Sequence, residues 1–320
     1  MNTRRKPASR LCTIVMKTTS ELNDQFGIHG VVDFIDLSPA YPAIQIQNTH
    51  AKALIALHGG HVMEYQPHGH DPVLWMSKST LLEEGKPIRG GIPVCWPWFA
   101  NHATDSSLPP HGFVRTKFWS LDAVSQSATG TTIVKLSTTH DEPSFEVWPH
   151  QFRLELTVEV GASLSVGMRM ENADSTPWEC AAALHTYLTV GEISKIQVQG
   201  LDGVSYTDKL QNLAVLKQSG PIRFDAECDR IYQPTTSDVT VCDAALDREI
   251  CVSKTGSQST VVWNPWIAKA KALSDFDDEG YLTMVCIETA CALTDVIHVE
   301  PNSANEMTTT VSVRRGTASK

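Results

Sequence analysis

Apolar and polar side chains alternate over long stretches of this chain, with a period of two. The alternation runs through Ala43-Ile44-Gln45-Ile46-Gln47, from Phe152 to Val160, from Ser163 to Met170 and again from Thr308 to Val313. Successive side chains of a strand point to opposite faces, so this pattern predicts half-buried antiparallel strands. Thr131–Ser137 and Ser259–Trp263 add shorter β-rich runs, and clusters of Pro, Gly, Asp and Ser separate them. No long capped amphipathic helix is evident; a helical turn or two is expected near Asp225–Asp229 and Asn302–Glu306. The expected fold class is all-β, a large antiparallel β-sandwich, because a βαβ array would need a helix between successive strands. Residues 1–25 are polar and poorly patterned. We therefore expect a flexible N-terminal tail over 1–25 and a single domain over 26–320, with no repeat and no low-complexity linker.

Composition narrows the function classes. The chain has 320 residues, with 26 Lys and Arg against 36 Asp and Glu, a net charge of −10. A generic nucleic-acid binder carries a basic surplus, so no nucleic-acid partner is expected. No apolar run approaches the roughly 18 residues of a membrane-spanning helix, so no membrane partner is expected either. The eight cysteines form no CxxC pair and read as reduced, buried thiols of an intracellular protein. A cytoplasmic location is the expectation. The first ten residues, MNTRRKPASR, weakly resemble the start of an organelle transit peptide, but a plain floppy terminus is the preferred reading.

Four segments carry candidate chemistry. In Pro87-Ile88-Arg89-Gly90-Gly91-Ile92-Pro93 a stiff, glycine-containing turn presents Arg89, whose guanidinium suits bidentate recognition of a phosphate or carboxylate. Trp96 and Trp98 follow, and flat rings are common sugar platforms; a plain surface arginine beside a turn is the competing reading. In Pro109-Pro110-His111-Gly112-Phe113-Val114-Arg115 a proline pair delivers His111 into a glycine hinge, with Arg115 beyond it. If residues 113–117 are extended, Phe113 and Arg115 share a face. His185 lies in Ala181-Ala182-Ala183-Leu184-His185-Thr186-Tyr187-Leu188, among small and apolar neighbours that predict burial. A buried histidine is hydrogen-bonded in the core or functional, and this segment alone leaves both open. Glu288 ends the apolar run Met284-Val285-Cys286-Ile287, where a lone carboxylate is costly unless it faces a polar cavity. Asp229, in Cys228-Asp229-Arg230-Ile231-Tyr232, is a further polar candidate, and Trp263-Asn264-Pro265-Trp266 is a rigid aromatic pair. His58, His61, His68 and His70 have spacings that a metal could use, but no carboxylate sits at a signature distance, so no metal is expected. No phosphate-binding loop, dinucleotide fingerprint or nucleophile elbow is present.

Taken in order, P-I-R-G-G-I-P (87–93), P-H-G-F-V-R (110–115), L-H-T-Y-L (184–188), D-R-I-Y (229–232), V-V-W-N-P-W (261–266) and M-V-C-I-E (284–288) resemble the hexose-6-phosphate mutarotases. These form the glucose-6-phosphate 1-epimerase branch of the aldose 1-epimerase superfamily, and the resemblance covers about residues 30 to 315. It implies a galactose mutarotase-like β-supersandwich with His185 as general acid and Glu288 as general base. It also implies Arg89 and Arg115 on the sugar phosphate, and His111 and Asp229 near the sugar. One departure stands out: the residue before His111 is often Gln in the family and is Pro110 here, so one hydrogen bond to the sugar is expected to be missing or replaced. The implied reaction is interconversion of hexose 6-phosphate anomers by acid/base ring opening and reclosure, chiefly on glucose 6-phosphate. It needs no cofactor, and a monomer is expected. The alternatives are an epimerase of unphosphorylated hexoses, a non-catalytic sugar-binding protein of the same fold, and a metal-dependent sugar-phosphate isomerase using the histidine cluster.

Overall fold

The structure, a computed structural model, describes residues 17–316. The alternating runs are strands with nearly the expected bounds: Pro42–Gln47, Thr132–Thr139, Phe152–Val160, Leu164–Asn172, Ser259–Asn264 and Ala304–Arg315. Along Phe152–Val160 every second residue is buried, as one wet and one dry face require.

Two eight-stranded sheets dominate the described residues. In spatial order one runs Ile196–Gln199, Val239–Asp243, Arg248–Thr255, Ala304–Arg315, Leu164–Asn172, Phe152–Val160, Thr132–Thr139 and Ser120–Gln126. Its outer face carries a ladder of ion pairs, Arg153 with Asp122 and Glu155, and Arg169 with Glu155 and Glu171. Exposed pairs of this kind contribute about 0–1 kcal/mol each, so the sheet is held by its inner face. The other sheet runs Ala214–Lys217, Ser205–Asp208, Cys228–Tyr232, Ser259–Asn264, Met284–Cys291, Ala182–Leu184 and Val94–Cys95, and Tyr187–Thr189 also pairs with Met284–Cys291. A four-stranded sheet of Val32–Asp36, Pro42–Gln47, Ala51–Ala56 and His61–Pro67 lies in chain order. Inner-face residues of all three, among them Ile44, Leu156, Val166, Val262 and Ile287, belong to one core. The architecture is thus the expected all-β antiparallel sandwich.

Helices are short and lie elsewhere than expected. Cys228–Tyr232 and Ala304–Arg315 are strands, so neither of the helical turns expected near 225–229 and 302–306 forms. Thr19–Phe26 is a helix instead, started by a capping box between Thr18 and Glu21. Its Leu22 is buried in the core beside Val32 and Phe34. The expected tail therefore contains a docked element: Leu22 supplies an apolar anchor too small to show as periodicity in a polar segment. Residues 1–16 of that tail lie outside the described residues.

The strand Met284–Cys291 is buried over its whole length. Val285, Ile287 and Cys291 face the main core, while Met284, Cys286 and Ala290 face a second, smaller cluster with Trp75, Tyr187 and Trp263. Period two therefore sends Glu288 to that second face. Partner strands add Asp229 opposite Trp263, Trp263 opposite Cys286 and Tyr187 opposite Cys286.

The loop bearing His111 is held by a close backbone approach. Gly112 has φ +73°, and a Cβ there would stand 1.8 Å from the Trp96 carbonyl oxygen. Trp96 is fixed in turn by Trp148, Phe152 and Trp178. We expect Gly112→Ala to destabilise the protein by about 2 kcal/mol or more, since a non-glycine left-handed residue alone costs about 1–3 kcal/mol before the clash is relieved. Urea unfolding measures this; a loss under about 0.5 kcal/mol, the size of an ordinary surface change, would show that the loop moves freely.

Candidate active site

Glu288 and His185 meet on the second face of the central sheet. His185 follows Ala182–Leu184, just before the chain re-enters the sheet at Tyr187–Thr189. Its Nε2 lies 3.2 Å from Glu288 Oε1. His185 is 7% exposed and Glu288 1%. The other atom of each group, His185 Nδ1 and Glu288 Oε2, is buried without a hydrogen-bond partner. Tyr187 stacks on the imidazole at 4.7 Å and 13°, Trp263 meets it edge-on at 6.0 Å, and His111 does so at 5.6 Å.

Electrostatics follow from this dry setting. Burial drives the His185 imidazolium well below its ordinary range, and the charges of His111, Arg89 and Arg115 add to the effect. Burial drives the Glu288 carboxyl well above its range, with Asp229 adding to the shift and Lys209 opposing it. A neutral imidazole and a protonated carboxyl hold the same number of protons as an imidazolium facing a carboxylate. The two groups are in contact and titrate as a coupled pair. The pair can accept one proton and donate another in either tautomer.

Arg89 is held at three points. Its backbone N–H donates to Thr80 Oγ1 at 2.7 Å, and Gly90 follows at φ +113°, where a Cβ would stand 2.5 Å from the Trp75 carbonyl oxygen. Nη1 donates to the Tyr187 hydroxyl at 3.0 Å, while Nε and Nη2 reach Asp275 Oδ2 at 3.2 and 3.1 Å. Arg115 lies in a single 3-10 turn, Val114–Thr116, rather than on the extended segment considered from sequence. The positive backbone angles at His111 and Gly112 divert the chain before it can extend. Arg115 is buried; Nη2 donates to the Pro110 carbonyl at 2.7 Å and Nε has no partner. Pro110 thus supplies a backbone acceptor that aims the arginine. Burial, and then the neighbouring Arg89 charge, pull the Arg115 guanidinium below its ordinary range. Two adjacent guanidiniums with an unspent donor suit an anion. Asp229 pairs with Lys209 Nζ at 2.9 Å.

All six residues singled out in the sequence, His185, Glu288, Arg89, His111, Arg115 and Asp229, are gathered here. The aromatic residues differ. Trp96 is fully buried core, its Nε1–H directed at Cys180 Sγ, and is no platform. Trp98 lines an apolar groove of about 1060 Å³ with Phe26, Leu108 and Val147, which none of the six enters. Trp263 and Trp75 flank the site instead, Trp75 stacking on Tyr187 at 5.9 Å. The sequence reading missed Lys209 and Asp275. No local pattern marks them, and only charge compensation of Asp229 and Arg89 would have called for partners. The histidine quartet does not converge. His58 accepts from the Gly85 N–H, His61 Nε2 faces the Gly90 carbonyl and His68 Nε2 the Asn48 carbonyl. Among the seven described cysteines, all free, Cys242 and Cys251 are only half-buried, so the expectation of buried thiols holds for five.

Comparison with known proteins finds relatives over most of the chain. The family model of aldose 1-epimerase matches residues 42–312. A protein of Escherichia coli K12 named "Putative glucose-6-phosphate 1-epimerase" is 36% identical over 78% of this chain and 83% of its own. A plant protein of the same name, from Cenchrus ciliaris, is 35% identical over 74% of each chain. The crystal structure of "a putative mutarotase (YeaD)" from Salmonella typhimurium superposes with a TM-score of 0.83 and 30% identity, over 89% of this chain and 94% of that one. A galactose mutarotase-like protein from Clostridium acetobutylicum shares the fold, with a TM-score of 0.69 and 14% identity over 89% and 98% of the two chains.

A stability prediction follows from the buried carboxyl. Glu288 is raised above its unfolded value, so folding takes up a proton whenever the unfolded side chain is ionised. That penalty is absent below the unfolded pKa of about 4.3 and grows as pH rises towards the folded value. We expect Glu288→Gln to have a higher Tm than the unmutated protein at pH 7, with the gap closing near pH 4. A variant that melts lower by the same margin at both pH values contradicts this.

Proposed function

Since the chain belongs to the aldose 1-epimerase family, we propose that it interconverts the α and β anomers of hexose 6-phosphates, chiefly glucose 6-phosphate, with His185 and Glu288 as its acid/base pair. The observation that carries this reading is the buried His185–Glu288 contact at 3.2 Å, next to two guanidiniums.

Mutarotation removes the proton from O1 and protonates the ring oxygen. The C1–O5 bond opens to an aldehyde, rotation about C1–C2 presents the other carbonyl face, and reclosure gives the other anomer. Glu288 takes the O1 proton and His185 delivers one to the ring oxygen, and the two exchange roles on closure. One available proton and one vacant acceptor are what this exchange requires, so the pair returns to its starting protonation state after each turnover. Positioned acid and base each contribute about 10²–10⁴-fold. Arg89 and Arg115 hold the phosphate, and Tyr187 joins the phosphate end to the acid/base end by accepting from Arg89 and stacking on His185. Asp229, positioned by Lys209, and neutral His111 take sugar hydroxyls. Burial, reinforced by Arg115, Lys209 and Arg89, keeps His111 well below its ordinary pKa, so it can accept as well as donate.

We expect Glu288→Gln and His185→Asn each to lower kcat at least about 10²-fold while remaining folded. Equilibration of pure α-glucose 6-phosphate, followed by polarimetry, measures this, and near-normal turnover in either variant removes that residue from the mechanism.

Phosphate recognition has its own test. Charge-assisted hydrogen bonds contribute about 1.5–3 kcal/mol, so Arg89→Ala or Arg115→Ala should raise KM for glucose 6-phosphate about 10- to 100-fold and leave the slow reaction of free glucose nearly unchanged. Equal kcat/KM for the two sugars in the unmutated protein favours an epimerase of neutral hexoses instead.

A further inference from the structure

We propose that His185, Cys286 and Glu288 form a binding site for a zinc-like divalent cation whose occupancy shuts the sugar site. One donor atom from each of the three lies within 4.8 Å of the others, and all three residues are buried. The fold explains the convergence. Cys286 and Glu288 stand two apart on Met284–Cys291 and so project from one face. Tyr187 is the register partner of Cys286, and His185 stacks on Tyr187. A second observation points to an occupant: Nδ1 of His185 and Oε2 of Glu288 are both buried without a partner.

Imidazole nitrogen, thiolate sulfur and carboxylate oxygen are the three donor classes that zinc takes, at about 2.0–2.1, 2.3 and 2.0–2.2 Å. Donors at those radii around a tetrahedral ion stand about 3.3–3.7 Å apart, which the His185–Glu288 contact at 3.2 Å nearly meets, and a donor pair at the 4.8 Å limit has to close by about an ångström. Three protein ligands leave the fourth position to water. The thiolate and the carboxylate cancel the charge of the ion, and the nearby Arg89 guanidinium is already paired with Asp275 at 3.1 Å. Binding releases the thiol proton, and any proton on the imidazole nitrogen or carboxyl oxygen that becomes a ligand, to solvent. The histidine quartet that first suggested metal spacing offers no such set, because the rings of His58, His61 and His68 are tied to separate backbone partners. Occupancy of the site is independent of the roles assigned to His185 and Glu288; inhibition rests on them, since the ion would take both the acid and the base.

Cobalt(II) titration of the full chain tests occupancy, because a thiolate ligand gives a near-ultraviolet sulfur-to-cobalt charge-transfer band. We expect the band to saturate at one equivalent and to be displaced by zinc. It should persist in a Cys242→Ser/Cys251→Ser double variant and vanish in Cys286→Ser and Cys286→Ala, whose folding is checked by thermal melting. Zinc should inhibit anomerisation of α-glucose 6-phosphate in competition with the sugar. The concentration for half-inhibition, taken against each variant's own metal-free rate, should rise at least about tenfold in Cys286→Ser, as loss of a direct ligand exceeds the 10–100-fold effect of losing an outer-shell partner. Absence of the band in the unmutated protein overturns the proposal, as does a band that survives in either folded Cys286 variant. A band without inhibition upholds the cation site and overturns the catalytic roles of His185 and Glu288.

Discussion

The site depends on one constraint: a carboxyl on a strand with no wet face, buried together with an imidazole from the neighbouring segment. In water each would hold its own ordinary protonation state. Between Met284–Cys291 and the segment that carries His185, dehydration raises the acid and lowers the base, and the two titrate together. An apolar pair of similar size would be cheaper to bury, so the arrangement is a cost to the fold that the rest of the sandwich offsets. Both sheet faces are used for it. The core side of the strand packs apolar residues into the main core, while the other side carries Cys286, Glu288 and Ala290 towards the site.

Around that pair the charges are arranged to stay put. Arg89 is fixed through Asp275, Tyr187 and Thr80, and Arg115 through the Pro110 carbonyl. An arginine already held in place loses less conformational entropy when it binds an anion, and binding costs of this kind often decide affinity. Tyr187 matters because it touches both ends, one guanidinium at its hydroxyl and the catalytic imidazole at its ring face. The glycines at 90 and 112 serve the same rigidity by letting backbones approach where a Cβ would collide.

Much of this was legible before any coordinates. The period-two runs specify strands because a one-residue slip would turn every buried side chain outward, and these four and the two shorter β-rich runs appear with bounds shifted by four residues at most. His185 and Glu288 were visible because they are the wrong chemistry for their neighbours, a histidine among alanines and a carboxylate ending Met-Val-Cys-Ile. Lys209 and Asp275 were not visible. Their local sequence is ordinary, and their meaning comes entirely from the group each one neutralises. Trp96 was misplaced for a related reason: a tryptophan beside a glycine turn looks the same in sequence whether its ring faces a sugar or a core.

The sequence by itself determined the fold class, the face of each strand and the residue types able to move a proton or hold an anion. Those are short-range properties, decided by alternation and by the chemistry of single side chains. Only the tertiary structure decided which of them meet. Asp229 and Glu288 are placed by antiparallel register between strands far apart in the chain, and the loops that carry residues 89, 111, 115 and 185 are held against the same sheet. The same register puts Cys286 beside the dyad and leaves the four histidines around residue 60 apart. Register depends on the packing of whole sheets, and protonation depends on how much water that packing excludes. Neither quantity is a property of any one segment, which is why the coupled acid/base pair belongs to the folded protein alone.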